Sequence, residues 1–120
     1  MPEHYKITGR IASKKNSKQI ITVKGRPMLI PSSAYKTWHK SALYELRPQV
    51  SGEPINKCSE IKILIKRKDK RKFDIDNSTS SILDTLVDAK ILEDDNWSVV
   101  PKLTVEYMRA EEDCAEITIE

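Results

Sequence analysis

Asp74-Ile75-Asp76-Asn77 sets two carboxylates two residues apart, and Asp94-Asp95 adds two more further along the chain. In an extended segment, side chains at i and i+2 point the same way, so Asp74 and Asp76 would face a common ion. Asp76, Ser80 and Asp84 then recur at spacings of four, which puts them on one helix face. Magnesium takes a few carboxylate oxygens and keeps several waters, so clustered Asp residues suit it better than zinc. An ion held there polarises a phosphodiester, orients a water nucleophile and offsets charge on the leaving oxygen. Neither His4 nor His39 lies near these acids in sequence. The same residues have plainer uses. Asp74 or Asp76 can cap a helix and favour its dipole, and Asp94-Asp95 can form an ordinary surface turn. A helix of about fourteen residues spans ~20 Å. For Asp95 to meet Asp74, the chain must therefore double back or a second subunit must contribute.

What precedes the acids is cationic. Lys66-Arg67-Lys68-Asp69-Lys70-Arg71-Lys72 carries six cations in seven residues and runs straight into Asp74. Residues 1–72 hold 18 Lys/Arg against 5 Asp/Glu, a net +13, while residues 73–120 hold 3 against 13, a net −10; together they give the chain's +3. A basic surface beside an acidic site draws in a polyanion and needs cations at the acids to hold it. Two solvated faces of opposite charge would leave the same trace. Lys14, Lys15, Lys18, Lys68, Lys70, Arg71 and Lys72 are the candidate phosphate contacts.

Other chemistries fail on particular residues. As a calcium loop, Asp74 to Thr85 has Thr79 for the turn glycine and Thr85 for the bidentate Glu. Glu60-Ile61-Lys62 has the acid-x-Lys form of restriction-type nucleases, but no Asp precedes Asp69 to partner it, so Glu60 and Lys62 read as strand surface. With three glycines there is no phosphate-cradling loop, and no Ser or Cys nucleophile arrangement stands out. Cys58 and Cys114 are far apart with no nearby Cys or His, which excludes a zinc ribbon and offers no disulfide framework. Reduced thiols, an N-terminus without an apolar signal core and the absence of a run of ~20 apolar residues fit a cytoplasmic protein that does not enter the membrane.

The elements that must position these residues make one α+β domain over residues 1–120. Residues 4–11, 19–23 and 28–30 read as strands, with Ser13–Lys18 a basic loop and Lys24-Gly25-Arg26-Pro27 a hairpin turn. Ser32 or Ser33 caps a helix to Leu46 with Tyr35, Trp38, Ala42 and Leu46 on its apolar face, and Pro48 stops it. Ile61, Ile63 and Ile65 alternate with Lys62, Leu64 and Lys66 in the clearest strand. A second helix runs from about Asp76 to Lys90, with Thr79, Ile82, Leu83, Leu86 and Val87 inward and Asp84 and Asp88 away from the core. Residues 97–108 and 115–119 complete an order β-β-β-α-β-α-β-β, a mixed or mainly antiparallel sheet with two helices.

The combination resembles the RusA family of Holliday junction resolvases, small endonucleases typical of prophages and bacteria. The family pattern is Asp-x-Asp-Asn opening a helix, an Asp along that helix, then Asp-Asp after it. These stand here as Asp74-Ile75-Asp76-Asn77, Asp84 and Asp94-Asp95. Ser13-Lys14-Lys15-Asn16-Ser17 and Pro31-Ser32-Ser33-Ala34-Tyr35 extend the resemblance to nearly the whole chain. It implies a homodimeric, magnesium-dependent α+β endodeoxyribonuclease of DNA recombination and repair, with manganese as a substitute ion. Such an enzyme nicks four-way junctions symmetrically. Carried over by position, Asp74, Asp76 and Asp95 are the catalytic metal ligands, supported by Asp94, Asn77, Ser80 and Asp84. Two departures stand out: Ser80 occupies a position that is commonly Lys, and Asn96-Trp97 replaces the usual Gln after Asp-Asp. Trp97 reads either as core packing or as a stacking surface for an unpaired base.

Overall fold

The computed structural model describes residues 2–13, 18–31 and 33–120. The expected loop residues Lys14, Lys15, Asn16 and Ser17, and Ser32 as a helix cap, lie outside the described residues.

Among the described residues, six strands and two α-helices follow in the expected order: β1 (Glu3–Thr8), β2 (Lys18–Val23), β3 (Arg26–Pro31), α1 (Ser33–Leu46), β4 (Ile61–Arg67), α2 (Ile75–Asp88), β5 (Leu103–Arg109) and β6 (Cys114–Ile119). Four strands form a mixed sheet ordered β1-β6-β4-β5, antiparallel except where β4 runs parallel to β5. One face of this sheet is apolar. Tyr5 and Ile7, Ile61, Ile63 and Ile65, and Ala115, Ile117 and Ile119 are all buried, and their registers place them side by side. The other face carries charge, with Lys66 paired to Glu116 at 3.0 Å and Lys62 to Glu120 at 3.5 Å. This two-sidedness is the period-two pattern made physical.

β2 and β3 form a separate two-stranded ribbon. Lys24 and Gly25 both adopt positive φ, 52° and 77°, the conformation of a two-residue hairpin turn whose twist matches the strands it joins. α1 buries Tyr35, Trp38, Ala42 and Leu46, as its spacing predicts. It ends in a short 3₁₀ turn, Arg47–Gln49, that contains Pro48.

Four expectations need correction. β1 ends at Thr8 rather than residue 11, because Gly9 turns away with φ 91° and donates its N–H to the Asp113 carbonyl at 2.8 Å. The strand expected over 97–108 begins only at Leu103; Trp97, Ser98 and Val99 form a turn closed by Val99 and Val100 N–H bonds to the Asn96 carbonyl. Trp97 is 82% exposed, which rules out core packing. Glu60 is also not free strand surface. Its carboxylate accepts from Thr104 Oγ1 at 2.5 Å and faces Lys102 at 3.9 Å.

Candidate functional site

β4, α2 and β5 form a parallel crossover, and the acids gather around its helix. At the C-terminal end of a parallel strand, the chain turning into the next helix is a habitual ligand-binding position in such sheets. Here that turn is the basic run Lys68–Lys72, and the helix it enters begins with Asp74.

Asp74 has extended backbone, φ −80° and ψ 115°, and occupies the N-cap position of α2 without a capping side-chain bond. Its carbonyl accepts from Ser78 N–H at 3.1 Å, while its carboxylate accepts from Asn77 Nδ2 at 3.0 Å. Asn77 thus orients Asp74 and leaves the capping use of its side chain unrealised. Asp76 lies in the first helical turn, so the extended i, i+2 geometry expected for the pair holds for Asp74 alone. Both acids are exposed.

α2 is seated by a polar face. Ser78, Thr79, Ser81 and Thr85 are buried with Ile82 and Leu86, while Leu83 and Val87 are only partly covered. The small hydroxyls satisfy themselves: Thr79, Ser81 and Thr85 donate to the carbonyls four residues back, at 2.6, 3.3 and 2.8 Å. Because Thr85 donates to Ser81, His39 Nδ1 is left to donate to the Thr85 hydroxyl, 3.0 Å away. His39 Nε2 meets Asp88 Oδ2 at 2.9 Å. Tyr35 stacks on His39 with centroids 5.4 Å apart. Burial, then the charges of Asp84 and Asp88, push the Tyr35 phenol up to about 12. This network joins α1 to the C-terminal end of α2.

α2 ends in a Schellman reversal. Lys90 sits at φ 66°, its N–H bonds to the Val87 carbonyl at 3.0 Å, and Ile91 N–H bonds to the Leu86 carbonyl at 3.0 Å. The loop that follows is pinned at both ends. Ile91 and Leu92 are buried on one side and Val99 and Val100 on the other. Ile55 exchanges backbone bonds with Ile91 and Glu93 at 2.9 Å each, and Cys58 N–H reaches the Val99 carbonyl at 2.9 Å. Between these anchors Glu93–Ser98 is exposed. Asp94 builds the loop, accepting from Asp95 N–H at 2.7 Å and Asn96 Nδ2 at 3.1 Å. Asp95 is carried on it. Partial desolvation raises the Asp95 carboxyl above its usual range, reinforced by the hydrogen bond to Asp94 and the charges of Asp84 and Asp94.

The chain therefore does double back, and it brings Asp95 within electrostatic reach of Asp84. Asp76 stands eight residues before Asp84 on α2, ~12 Å along a helix. Among the described residues, no three His, Cys, Asp or Glu side chains stand close enough to hold a metal ion. The donors nonetheless have the right chemistry for a hard divalent cation: all are carboxylate oxygens, and like charge accumulates at Asp95.

Of the candidate phosphate contacts, Lys68, Lys70, Arg71 and Lys72 are exposed beside Asp74, and Lys18 opens β2. Lys68 N–H bonds to Asp113 Oδ1 at 2.9 Å and Arg71 N–H to Asp69 Oδ1 at 3.0 Å. Asp69, held low first by that Arg71 N–H and then by Arg10, pairs with Arg10.

Sequence reasoning passed over Arg67. It is 4% exposed, with its guanidinium 4.5 Å from the centre of the Phe73 ring. The signal was present, since the alternation Ile61, Ile63, Ile65 continues to position 67.

A small α+β domain with an acidic helix start and an acidic return loop beside a cationic strand exit is the frame of a phosphodiester-cutting protein. Residues 9–120 match the family described as Endodeoxyribonuclease RusA, and the chain belongs to that family. It is a family of Holliday junction resolvases, and its nucleases generally depend on a divalent metal. No curated protein matches the chain.

Proposed function

We propose that this chain is a magnesium-dependent endodeoxyribonuclease that resolves Holliday junctions in DNA recombination and repair, acting in the cytoplasm as a homodimer. Asp74, Asp76 and Asp95, drawn together by the ion itself, would hold it, with manganese able to substitute, and Asp94, Asn77, Ser80 and Asp84 would support them. Bound there, the ion supplies charge neutralisation at the scissile phosphate and a nucleophile of lowered pKa. The chain does the rest. Asn77 fixes the Asp74 carboxylate, Asp94 shapes the loop that presents Asp95, and Lys68, Lys70, Arg71 and Lys72 hold phosphates over the helix start. Lys14, Lys15 and Lys18 are further proposed phosphate contacts. Two copies related by a two-fold axis suit the symmetry of a four-way junction.

The observation that carries this reading is the acidic start of α2, where Asn77 orients the Asp74 carboxylate and Asp76 follows in the first turn, entered directly from the cationic run Lys68–Lys72. Asp76→Asn is expected to lower cleavage of a synthetic four-way junction by at least roughly a hundredfold, while junction binding survives or strengthens. A variant that still cuts at the normal rate would sink the assignment.

Ser80 favours a second reading. Where the family pattern commonly has a cation, this chain offers only a hydroxyl, so transition-state charge has less support. On that reading the protein binds junctions without cutting them. Tight binding by purified protein with no nicking, in magnesium and in manganese, would establish it.

A further inference from the structure

Flanking Asp74 in the chain lies a pocket of about 360 Å³ lined by Lys70, Arg71, Lys72, Phe73, Ile75 and Tyr107. Three features set it apart from an ordinary surface dent. Its floor is aromatic: the Phe73 and Tyr107 rings are 5.7 Å apart and tilted by 59°. Tyr107 remains 47% exposed and Ile75 42%, so a flat apolar surface is open to solvent in a chain with few aromatic residues. Its rim holds three consecutive cations.

The third feature lies behind the floor. Arg67 is almost wholly buried, and among the described residues its Nε has no hydrogen-bond partner and its guanidinium enters no ion pair. Asp69 senses its charge but is itself paired with Arg10. A buried cation whose main neighbour is the Phe73 face leaves positive potential behind the pocket. Basic rim, aromatic floor and buried cation together suit a flat, electron-rich ring attached to a phosphate. That is a nucleotide.

We propose that this pocket holds one unpaired nucleobase of the DNA substrate, stacked on Tyr107 beside Phe73, with its flanking phosphates on Lys70, Arg71 and Lys72. Phe73 and Ile75 flank Asp74 where the chain enters α2, so the pocket and the Asp74 carboxylate share one short segment. A strand crossing this segment places its base in the pocket and the adjoining phosphate near Asp74. The pocket thereby sets which phosphate the acids meet, and so determines where the strand is held. It also favours branched over continuous duplex DNA, because bases at a crossover unstack at lower cost. The inference rests on the nuclease reading for its substrate, but not for its test.

The test uses the full-length protein in buffer without divalent metal, with four-way junctions carrying a single 2-aminopurine at successive positions around the crossover. At one position the probe should leave its DNA neighbours yet stay quenched by the wild-type protein. With Tyr107→Ala the same position should brighten, and junction affinity should fall about 5- to 150-fold, the range for losing one base–aromatic stack. The slope of affinity against salt should stay unchanged, since no phosphate contact is lost. Tyr107→Phe should restore both signals. A probe signal insensitive to Tyr107→Ala, or an affinity loss that appears as a shallower salt slope, overturns the proposal. If wild-type protein cuts junctions in magnesium but quenches no displaced probe, the pocket assignment falls and the nuclease reading stands. If the probe signal appears without cutting, the pocket stands and the non-catalytic reading takes over.

Discussion

The acidic loop and the basic run, to which the proposed function gives one substrate, are built in opposite ways. Glu93–Ser98 hangs between two pairs of buried anchors, Ile91 with Leu92 and Val99 with Val100, and is stitched by backbone bonds to Ile55 and Cys58. Lys68–Lys72 has no buried residue; Lys68 N–H bonds to Asp113, Arg71 N–H to Asp69 within the run, and Asp69 pairs with Arg10. The contrast follows from what each charge must do. A metal ligand works over about 2 Å and tolerates little displacement. A phosphate contact acts over roughly a Debye length of ~8 Å, so a loosely tied lysine serves nearly as well as a fixed one.

The sharpest way to break the contrast is to loosen the acidic side. Leu92→Ala should destabilise the protein by about 2–5 kcal/mol, read from urea unfolding, because a fully buried side chain leaves a cavity. Junction cleavage should fall further than junction binding. On the basic side, replacing Lys68, Lys70 and Lys72 together with Ala should leave the unfolding midpoint within about 0.5 kcal/mol of wild type, as surface changes usually do. Binding should weaken, with the slope of log affinity against log salt shallower by roughly 0.9 for each contact removed. An unchanged slope would show that these lysines do not touch phosphates.

A smaller effect tests the reversal that returns the loop. Lys90→Gly should stabilise by roughly 0.5–1 kcal/mol, since glycine takes the left-handed conformation without a Cβ penalty. The last test is electrostatic. The raised Asp95 carboxyl means that the folded state holds its proton more tightly than the unfolded chain, so this group's contribution to stability falls as pH rises above the ordinary value of 3.8. Asp84→Asn should lower the Asp95 midpoint, followed by carboxyl-carbon NMR, and soften that loss. Adding magnesium to the wild type should move the midpoint in the same direction. A midpoint indifferent to both would separate Asp95 from Asp84 and from the metal.

Much of this frame was legible in the residue order. The apolar spacing of Tyr35, Trp38, Ala42 and Leu46 located α1 and its buried face, and the isoleucines of β4 located the centre of the sheet. The acidic motif and its cationic approach were visible as strings. Less legible was everything that depends on partners distant in sequence. Ser81 and Thr85 look like a solvated stripe, yet they are buried, because their hydroxyls bond back to the helix and the close approach of α1 rewards small side chains. Val99 and Val100 suggest a strand, but Asn96 draws their amides into a turn. Arg67 sits in a run of exposed cations, and only its strand parity marks it as buried. The nearness of Asp84 to Asp95 depends on a left-handed lysine that carries no sequence signature.

The placement of β6 has a consequence in time. It lies between β1 and β4, pairing Glu3 with Ile119 and Ile61 with Ile119. No four-stranded sheet can form until residues 114–119 have left the ribosome, whatever helices have formed before. Such distant pairings close large loops and slow the search for the native state. During synthesis the basic first half is therefore exposed as a polycation before the acidic half can fold against it. An emerging chain of this kind would cling to nucleic acid long before it could cut any.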